Sequence, residues 1–228
     1  MRNNMILTVR DIIKRVRWCI DEEAANIAEL DGIDEDAGLY MDNIIKAKVY
    51  DALRWCLQYA SRDLLSDDGS HAASDQQVVT SATLSVAEGT PTVVTLPTGF
   101  LRLVRVRVGG WKKAVMNPIE EDSNQYLELS DATAMATKDR PVAALIRTDP
   151  KKLELWPGGQ ATTTVELTYV NTPRYDELAT TDATAVYVPD KLMSAYLYYI
   201  AFLVLSAYGD NRASVMLSIA KMNLGLTE

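Results

Sequence analysis

The fold is decided by Val188-Pro189-Asp190-Lys191-Leu192-Met193-Ser194-Ala195-Tyr196-Leu197-Tyr198-Tyr199-Ile200-Ala201-Phe202-Leu203-Val204-Leu205-Ser206-Ala207. Proline is tolerated at the first position of a helix, where its missing N–H costs no hydrogen bond. From Leu192 onward the run is almost wholly apolar, interrupted by Ser194, until Gly209-Asp210-Asn211. A membrane span needs ~20 apolar residues and places its aromatics at two interfaces. This run is shorter, and Tyr196, Tyr198 and Tyr199 lie close together. It reads as a buried central helix.

C-terminal to this run, residues 212–223 give a last helix with Val215, Met216, Ile219 and Met222 on one stripe, closed by Gly225. N-terminal to it, Val- and Thr-rich segments at 80–86, 92–96, 101–108, 142–148, 152–156 and 163–170 are punctuated by Gly, Pro and Asp, as strands are. No long amphipathic helices alternate with them, so a parallel sheet is not expected and an antiparallel sandwich or small barrel is. In Leu101-Arg102-Leu103-Val104-Arg105-Val106-Arg107-Val108 the apolar residues switch from odd to even positions. A bulge near Leu103 and Val104 would keep Leu101, Leu103, Val104, Val106 and Val108 buried and set Arg102, Arg105 and Arg107 on the other face. Gly109-Gly110 then supplies a tight turn into Trp111.

Nearer the N-terminus, Thr8 is a capping residue with Asp11 three positions on, and Val9, Ile12, Ile13, Val16 and Ile20 recur at helical spacing. Residues 27–38, carboxylate-rich and containing Gly32, read as a connection. A second helix is expected at 41–65 with Ile45, Val49, Ala52, Leu53, Cys56 and Ala60 on one stripe, widened by Trp55, Leu57 and Tyr59 toward contacts on more than one side. Arg17-Trp18-Cys19-Ile20 and Arg54-Trp55-Cys56-Leu57 are alike, but four residues are too few to establish a duplicated hairpin. Asp67-Asp68-Gly69-Ser70-His71 is a turn-rich break between helices and strands. The fold class is α+β: a helical bundle from the two chain ends, residues 1–70 and 188–228, with an antiparallel β-sandwich or barrel-like domain, residues 77–175, inserted into it.

The 228 residues are 48% hydrophobic and 24% charged, which excludes disordered and low-complexity classes. A formal charge of -8 disfavours a DNA-wrapping protein, which must neutralise phosphates. The charge is segregated: residues 21–43 hold nine acidic side chains and no base, whereas residues 100–113 hold five bases and no acid. Two cysteines and one histidine support neither a disulfide framework nor a zinc ligand set, and point to a reducing compartment. The N-terminus, with bases scattered through its apolar positions, lacks a signal-peptide core.

Catalytic patterns are thin. A nucleophilic triad needs an imidazole, and His71 sits in a polar loop. Cys19 and Cys56 lie among apolar neighbours, as small core residues do. Carboxylate pairs such as Glu22 with Asp34 or Glu120 with Glu154 are what any acidic chain offers. Asp34-Glu35-Asp36 with Gly38 lacks the alternating ligands of a calcium loop, and Trp156-Pro157-Gly158-Gly159 precedes a strand where phosphate binding needs a helix. No catalytic, metal or cofactor site is expected. The face carrying Arg102, Arg105 and Arg107, with Lys112 and Lys113 beyond, could meet phosphates, the acidic stretch of a neighbouring copy, or only solvent; between the two partners, a chain this acidic favours the second.

Several segments match a known pattern in order. They are Leu96-Pro97-Thr98-Gly99-Phe100-Leu101-Arg102-Leu103, then Leu153-Glu154-Leu155-Trp156-Pro157, then Val165-Glu166-Leu167-Thr168-Tyr169-Val170-Asn171-Thr172-Pro173. Val188-Pro189-Asp190 with its Tyr- and Leu-rich helix, and Gly209-Asp210 before a short last helix, complete the series. This order resembles the head-to-tail connector proteins of tailed bacteriophages, in particular the adaptor rings of short-tailed phages of the tail tubular protein A type and the ring proteins of crAss-like phages. The acidic connection between the first two helices and residues 122–139 have no counterpart in that pattern.

The resemblance implies a structural, non-enzymatic virion protein: a dodecameric ring at the portal vertex, assembled in the host cytoplasm. Its partners would be the portal protein, downstream tail or ring proteins and identical copies, with genomic DNA passing through the lumen and no membrane contact. The residues expected at its subunit or portal interfaces are Arg212, Met216, Lys221 and Met222 on the last helix, with packing inside the chain as the equal alternative for that helix, and Arg102, Arg105 and Arg107 on the basic strand. A muralytic tail enzyme using two carboxylates, or a carbohydrate-binding module using exposed Trp111 and Trp156, would be the alternatives.

Overall fold

Thr8 sets where the first helix begins. In the computed structural model its backbone is extended (φ -75°, ψ 153°), Oγ1 accepts from the Asp11 amide at 3.2 Å, and the Asp11 carboxylate accepts from the Thr8 amide at 3.3 Å. This reciprocal cap satisfies helix-end donors that would otherwise lack partners. Two further first-turn donors, the amides of Val9 and Arg10, bond to the carbonyls of Thr184 and Asp182, both at 3.0 Å. The start of the helix is thus tied to a segment far along the chain.

The structure describes residues 5–20, 35–65, 79–86, 91–129, 135–159, 163–173 and 181–226. In chain order the elements are β1 (Met5–Thr8), α1 (Val9–Cys19), α2 (Glu35–Tyr59), β2 (Val79–Val86), β3 (Thr92–Thr95), β4 (Phe100–Val108), β5 (Ile119–Glu120) and α3 (Asn124–Glu128). There follow β6 (Val142–Ile146), β7 (Lys152–Trp156), β8 (Thr163–Asn171), β9 (Ala185–Val188), α4 (Met193–Ala207) and α5 (Ala213–Asn223). They sort into two compact units, one holding β1, α1, α2, β9, α4 and α5 and the other holding β2 to β8 with α3. The architecture is α+β.

In the helical unit α4 is the buried centre, packed against α1, α2 and α5. Tyr196, Ile200, Ala201 and Val204 are fully enclosed, as are Val9, Ile12 and Val16 of α1 and Ile45, Val49, Ala52 and Cys56 of α2. Each large aliphatic side chain buried in this way contributes about 1.5–3 kcal/mol. Among the described residues no helix is long and apolar enough to cross a membrane. Arg17 is buried beside this core, and its guanidinium meets Asp42 Oδ1 through Nη2 at 2.7 Å and Nε at 2.9 Å. An unpaired charge there would be strongly destabilising.

Several boundaries differ from the sequence reading. Pro189 caps a 3-10 turn, Asp190–Leu192, that leads into α4, so it stands before the first helical position. Helix α2 begins earlier and ends earlier than expected: Glu35 and Gly38 belong to it, and after Ala60 the backbone turns extended at Ser61 (φ -61°, ψ 156°) before a 3-10 turn, Arg62–Leu64. On α5 and at its C-cap the inward residues are Met216, Ala220 and Leu224, while Val215 and Met222 face out. Small Ala220 can lie close against a neighbouring helix, which a stripe chosen by side-chain size does not anticipate. The short antiparallel pair β1 and β9, in register Met5 with Val188 to Thr8 with Ala185, was not expected from sequence.

The second unit is a sandwich of a three-stranded sheet, β2-β8-β4, and a four-stranded sheet, β3-β7-β6-β5, with no closure into a barrel among the described residues. Val106, Val108, Val165 and Leu167 of the first sheet share a core with Val94, Ala143, Leu153 and Leu155 of the second. The β4–β8 register slips between Leu103 and Arg105, which is the bulge that the change of phase implied, and again between Phe100 and Arg102. As a result Leu103 and Val104 are both buried, although Leu101 is only half-buried. The pairs are antiparallel except β5 with β6, a two-residue parallel pair that departs from the all-antiparallel expectation. After β4 the Trp111 amide bonds back to the Val108 carbonyl at 3.0 Å with Gly110 at φ 89°, a turn geometry that favours glycine.

Candidate functional site

The basic strand presents its charges beside an acid on the next strand. Arg105 and Arg107 of β4 are exposed, Arg102 is half-buried, and in register Arg107 lies opposite Glu166 of β8. Arg105 Nη2 is 4.0 Å from Glu166 Oε2 with both side chains about half exposed. Exposed pairs of this kind contribute less than about 1 kcal/mol. The sheet face is completed by Ser81, Thr83 and Ser85 of β2 and Thr164 of β8, all exposed, so two exposed arginines stand on a hydroxyl-rich surface with one carboxylate among them. Farther on, Lys112 pairs with Asp139 at 2.7 Å.

The four residues singled out on the last helix separate. Arg212 is held within its own chain: its guanidinium clasps Asp210 (Nη2 to Oδ2 2.8 Å, Nε to Oδ2 3.1 Å), and Nη1 donates to the Ile20 carbonyl at 3.0 Å. The guanidinium's bonds to Asp210, then the Arg212 amide, hold the Asp210 carboxyl below the usual aspartate range. Met216 is buried, Lys221 is half-buried and Met222 is 69% exposed. Of the four, Met222 is the side chain most open to a partner.

The residues weighed for chemistry are either engaged elsewhere or outside the described residues. His71 and residues 21–34 lie outside the described residues, while Asp42 is occupied by Arg17. Glu120 pairs with Arg147 Nη2 at 3.0 Å, and Glu154 accepts from the Tyr126 hydroxyl at 2.9 Å. Burial, then that carboxylate, raises the Tyr126 pKa. Burial also pushes the Cys56 thiol far above its usual range, which suits a core residue and not a nucleophile. Among the described residues no cluster of His, Cys, Asp and Glu could hold a metal ion. Trp111, expected to be exposed in a carbohydrate-binding reading, is buried in the sandwich core, with Nε1 donating to the Pro157 carbonyl at 3.3 Å; Trp156 is half-buried.

One surface feature went unnoticed in the sequence. Trp55 of α2 stacks on Tyr199 of α4 (centroids 3.8 Å apart, planes 3° apart), Tyr59 lies 5.7 Å beyond Trp55, and Phe202 lies 5.4 Å beyond Tyr199. The spacings Trp55 to Tyr59 and Tyr199 to Phe202 were legible, but their meeting depends on how α2 and α4 pack. Charge divides between the two parts of the chain as well. Residues 79–172 hold ten bases and ten acids, so the whole net charge of -8 is carried by the segments that build the helical unit and its connections.

With this geometry in place, one comparison is decisive: the family model described as SU10 adaptor protein matches residues 7–228. The chain belongs to the SU10 adaptor protein family. No curated protein matches the adaptor. The family match agrees with the connector resemblance of its strand and turn segments and makes the adaptor a structural component of the phage particle, in contact with other virion proteins. In such a protein the sites that matter are surfaces. Those the adaptor offers are the arginine face of β4, the exposed side of α5 and the row of rings on α2 and α4.

Proposed function

We propose that the adaptor closes into a ring of identical copies, dodecameric as in the connectors it resembles, between the portal and the tail at the head-to-tail vertex. It extends the channel through which DNA leaves and works by geometry, with no substrate turned over. The helical unit faces the portal and the β unit faces the next tail or ring protein. The family match over nearly the whole chain carries this reading. The charge partition supports it: a passage that DNA must traverse without adhering is served by a bundle with excess acid. The neutral β unit, with Arg105 and Arg107 on one face, remains free to bind protein. Electron microscopy of the adaptor mixed with its phage's portal protein tests the proposal. A ring of adaptor stacked coaxially on the portal is expected; a portal that stays bare with adaptor in excess overturns it.

A further inference from the structure

The helical unit carries two unlike apolar surfaces, and resting on the ring reading above, we propose that each is the other's partner across the subunit boundary. The first is the row Tyr59, Trp55, Tyr199 and Phe202. Tyr59 is 48% exposed and the other three rings are half-buried, on helices of which α4 has no charged side chain between Met193 and Ala207. The second is the outward stripe of α5, where Val215 is 54% and Met222 69% exposed, with Ile219 half-buried between them. Single exposed apolar side chains are ordinary, but a connected row of four rings is the kind of surface that protein contacts cover.

Three observations select a second copy as the occupant. An aromatic acceptor and a thioether-bearing stripe on one molecule pair well, because sulfur packs favourably against ring edges. Their flanks can exchange charge: exposed Asp51, which lies 3.7 Å from Lys48 on its own helix, is one turn before Trp55 on the same stripe of α2, and Lys221 stands beside Met222. And two different complementary patches on one molecule make a heterologous contact, which repeats head to tail until it closes on itself. A self-complementary patch would instead stop at a two-fold dimer.

The test uses the full chain and the variants Met222→Glu and Tyr59→Glu, both at exposed positions, with thermal melting to confirm that each folds. Mass photometry reads the size distribution with and without portal protein. Each variant alone should need at least about tenfold more protein than wild type to form rings, because a carboxylate must be desolvated in the contact. An equal mixture of the two should stop at dimers. One contact in that pair is intact, while any further copy would have to bury at least one glutamate. Rings from Met222→Glu at wild-type concentration overturn this pairing and leave the ring reading standing. A wild-type adaptor that never forms rings, even on the portal, overturns both.

Discussion

Arg212 Nη1 donates to the backbone carbonyl of Ile20, 192 residues earlier in the chain, at 3.0 Å, while the rest of its guanidinium clasps Asp210. One side chain thereby joins the end of α1 to the turn between α4 and α5. The contact is a bond between the two chain ends that build the helical unit.

Replacing Arg212 with alanine should therefore lower the stability of the fold. A charged hydrogen bond to a partly buried carbonyl is involved, but the arginine is half exposed, so the loss should be about 1 kcal/mol. Urea unfolding of Arg212→Ala and Arg212→Lys measures it, with the lysine variant intermediate. An unchanged midpoint for the alanine variant would show that the bridge to Ile20 adds nothing.

The capping pair should make part of the stability depend on pH. The Thr8 hydroxyl, then the Thr8 amide, hold the Asp11 carboxyl below its ordinary value of 3.8. A carboxyl whose pKa is depressed on folding stabilises the fold above its unfolded pKa and loses that contribution as pH falls through the folded one. Thr8→Ala should cost about 1 kcal/mol at neutral pH, as loss of a helix cap does. The difference between wild type and this variant should narrow as the solution is acidified below pH ~4. Denaturant midpoints for both proteins across that range check the sign; a difference that widens in acid would contradict it.

The two cysteines should differ sharply toward thiol reagents. Cys56 is fully buried with its thiol pKa driven up by desolvation, whereas Cys19 is partly exposed on α1. Brief treatment of the native adaptor with iodoacetamide at pH 8 should label Cys19 and spare Cys56, and both should react in denaturant. Peptide mass spectrometry distinguishes them, and early native labelling of Cys56 would mean that the α2–α4 core opens readily.

Trp111 should matter for stability and not for glycan contact. It fills the sandwich core, so Trp111→Ala should cost about 3–5 kcal/mol. Trp111→Phe should recover much of that while losing the bond to the Pro157 carbonyl. Thermal melts of the two variants give the comparison, and a near-native melt for Trp111→Ala would be inconsistent with the burial seen.

Where local chemistry decides an element, the sequence was readable. Thr8 with Asp11 announces a helix start, the spacing from Val9 to Ile20 names its buried face, and the misplaced alternation around Leu103 and Val104 calls for the bulge that β4 contains. Features that exist only through distant partners were not readable. Met5–Thr8 and Ala185–Val188 are four residues each and become strands by pairing with one another across most of the chain. The rings of Trp55 and Tyr199 belong to different helices, and Arg212 reads as a surface base until Ile20 is placed beside it. The expected α5 stripe failed for the same reason, because Ala220 and Leu224 turn inward and leave Met222 outside.

The most direct measurement is an averaged cryo-electron density of the phage's head-to-tail vertex at a resolution that shows helices and sheets. The account predicts this fold repeated in a closed ring beneath the portal, α5 of each copy lying against the α2–α4 rings of the next. A vertex whose density leaves no place for this fold, or holds it as separated single copies, would contradict it.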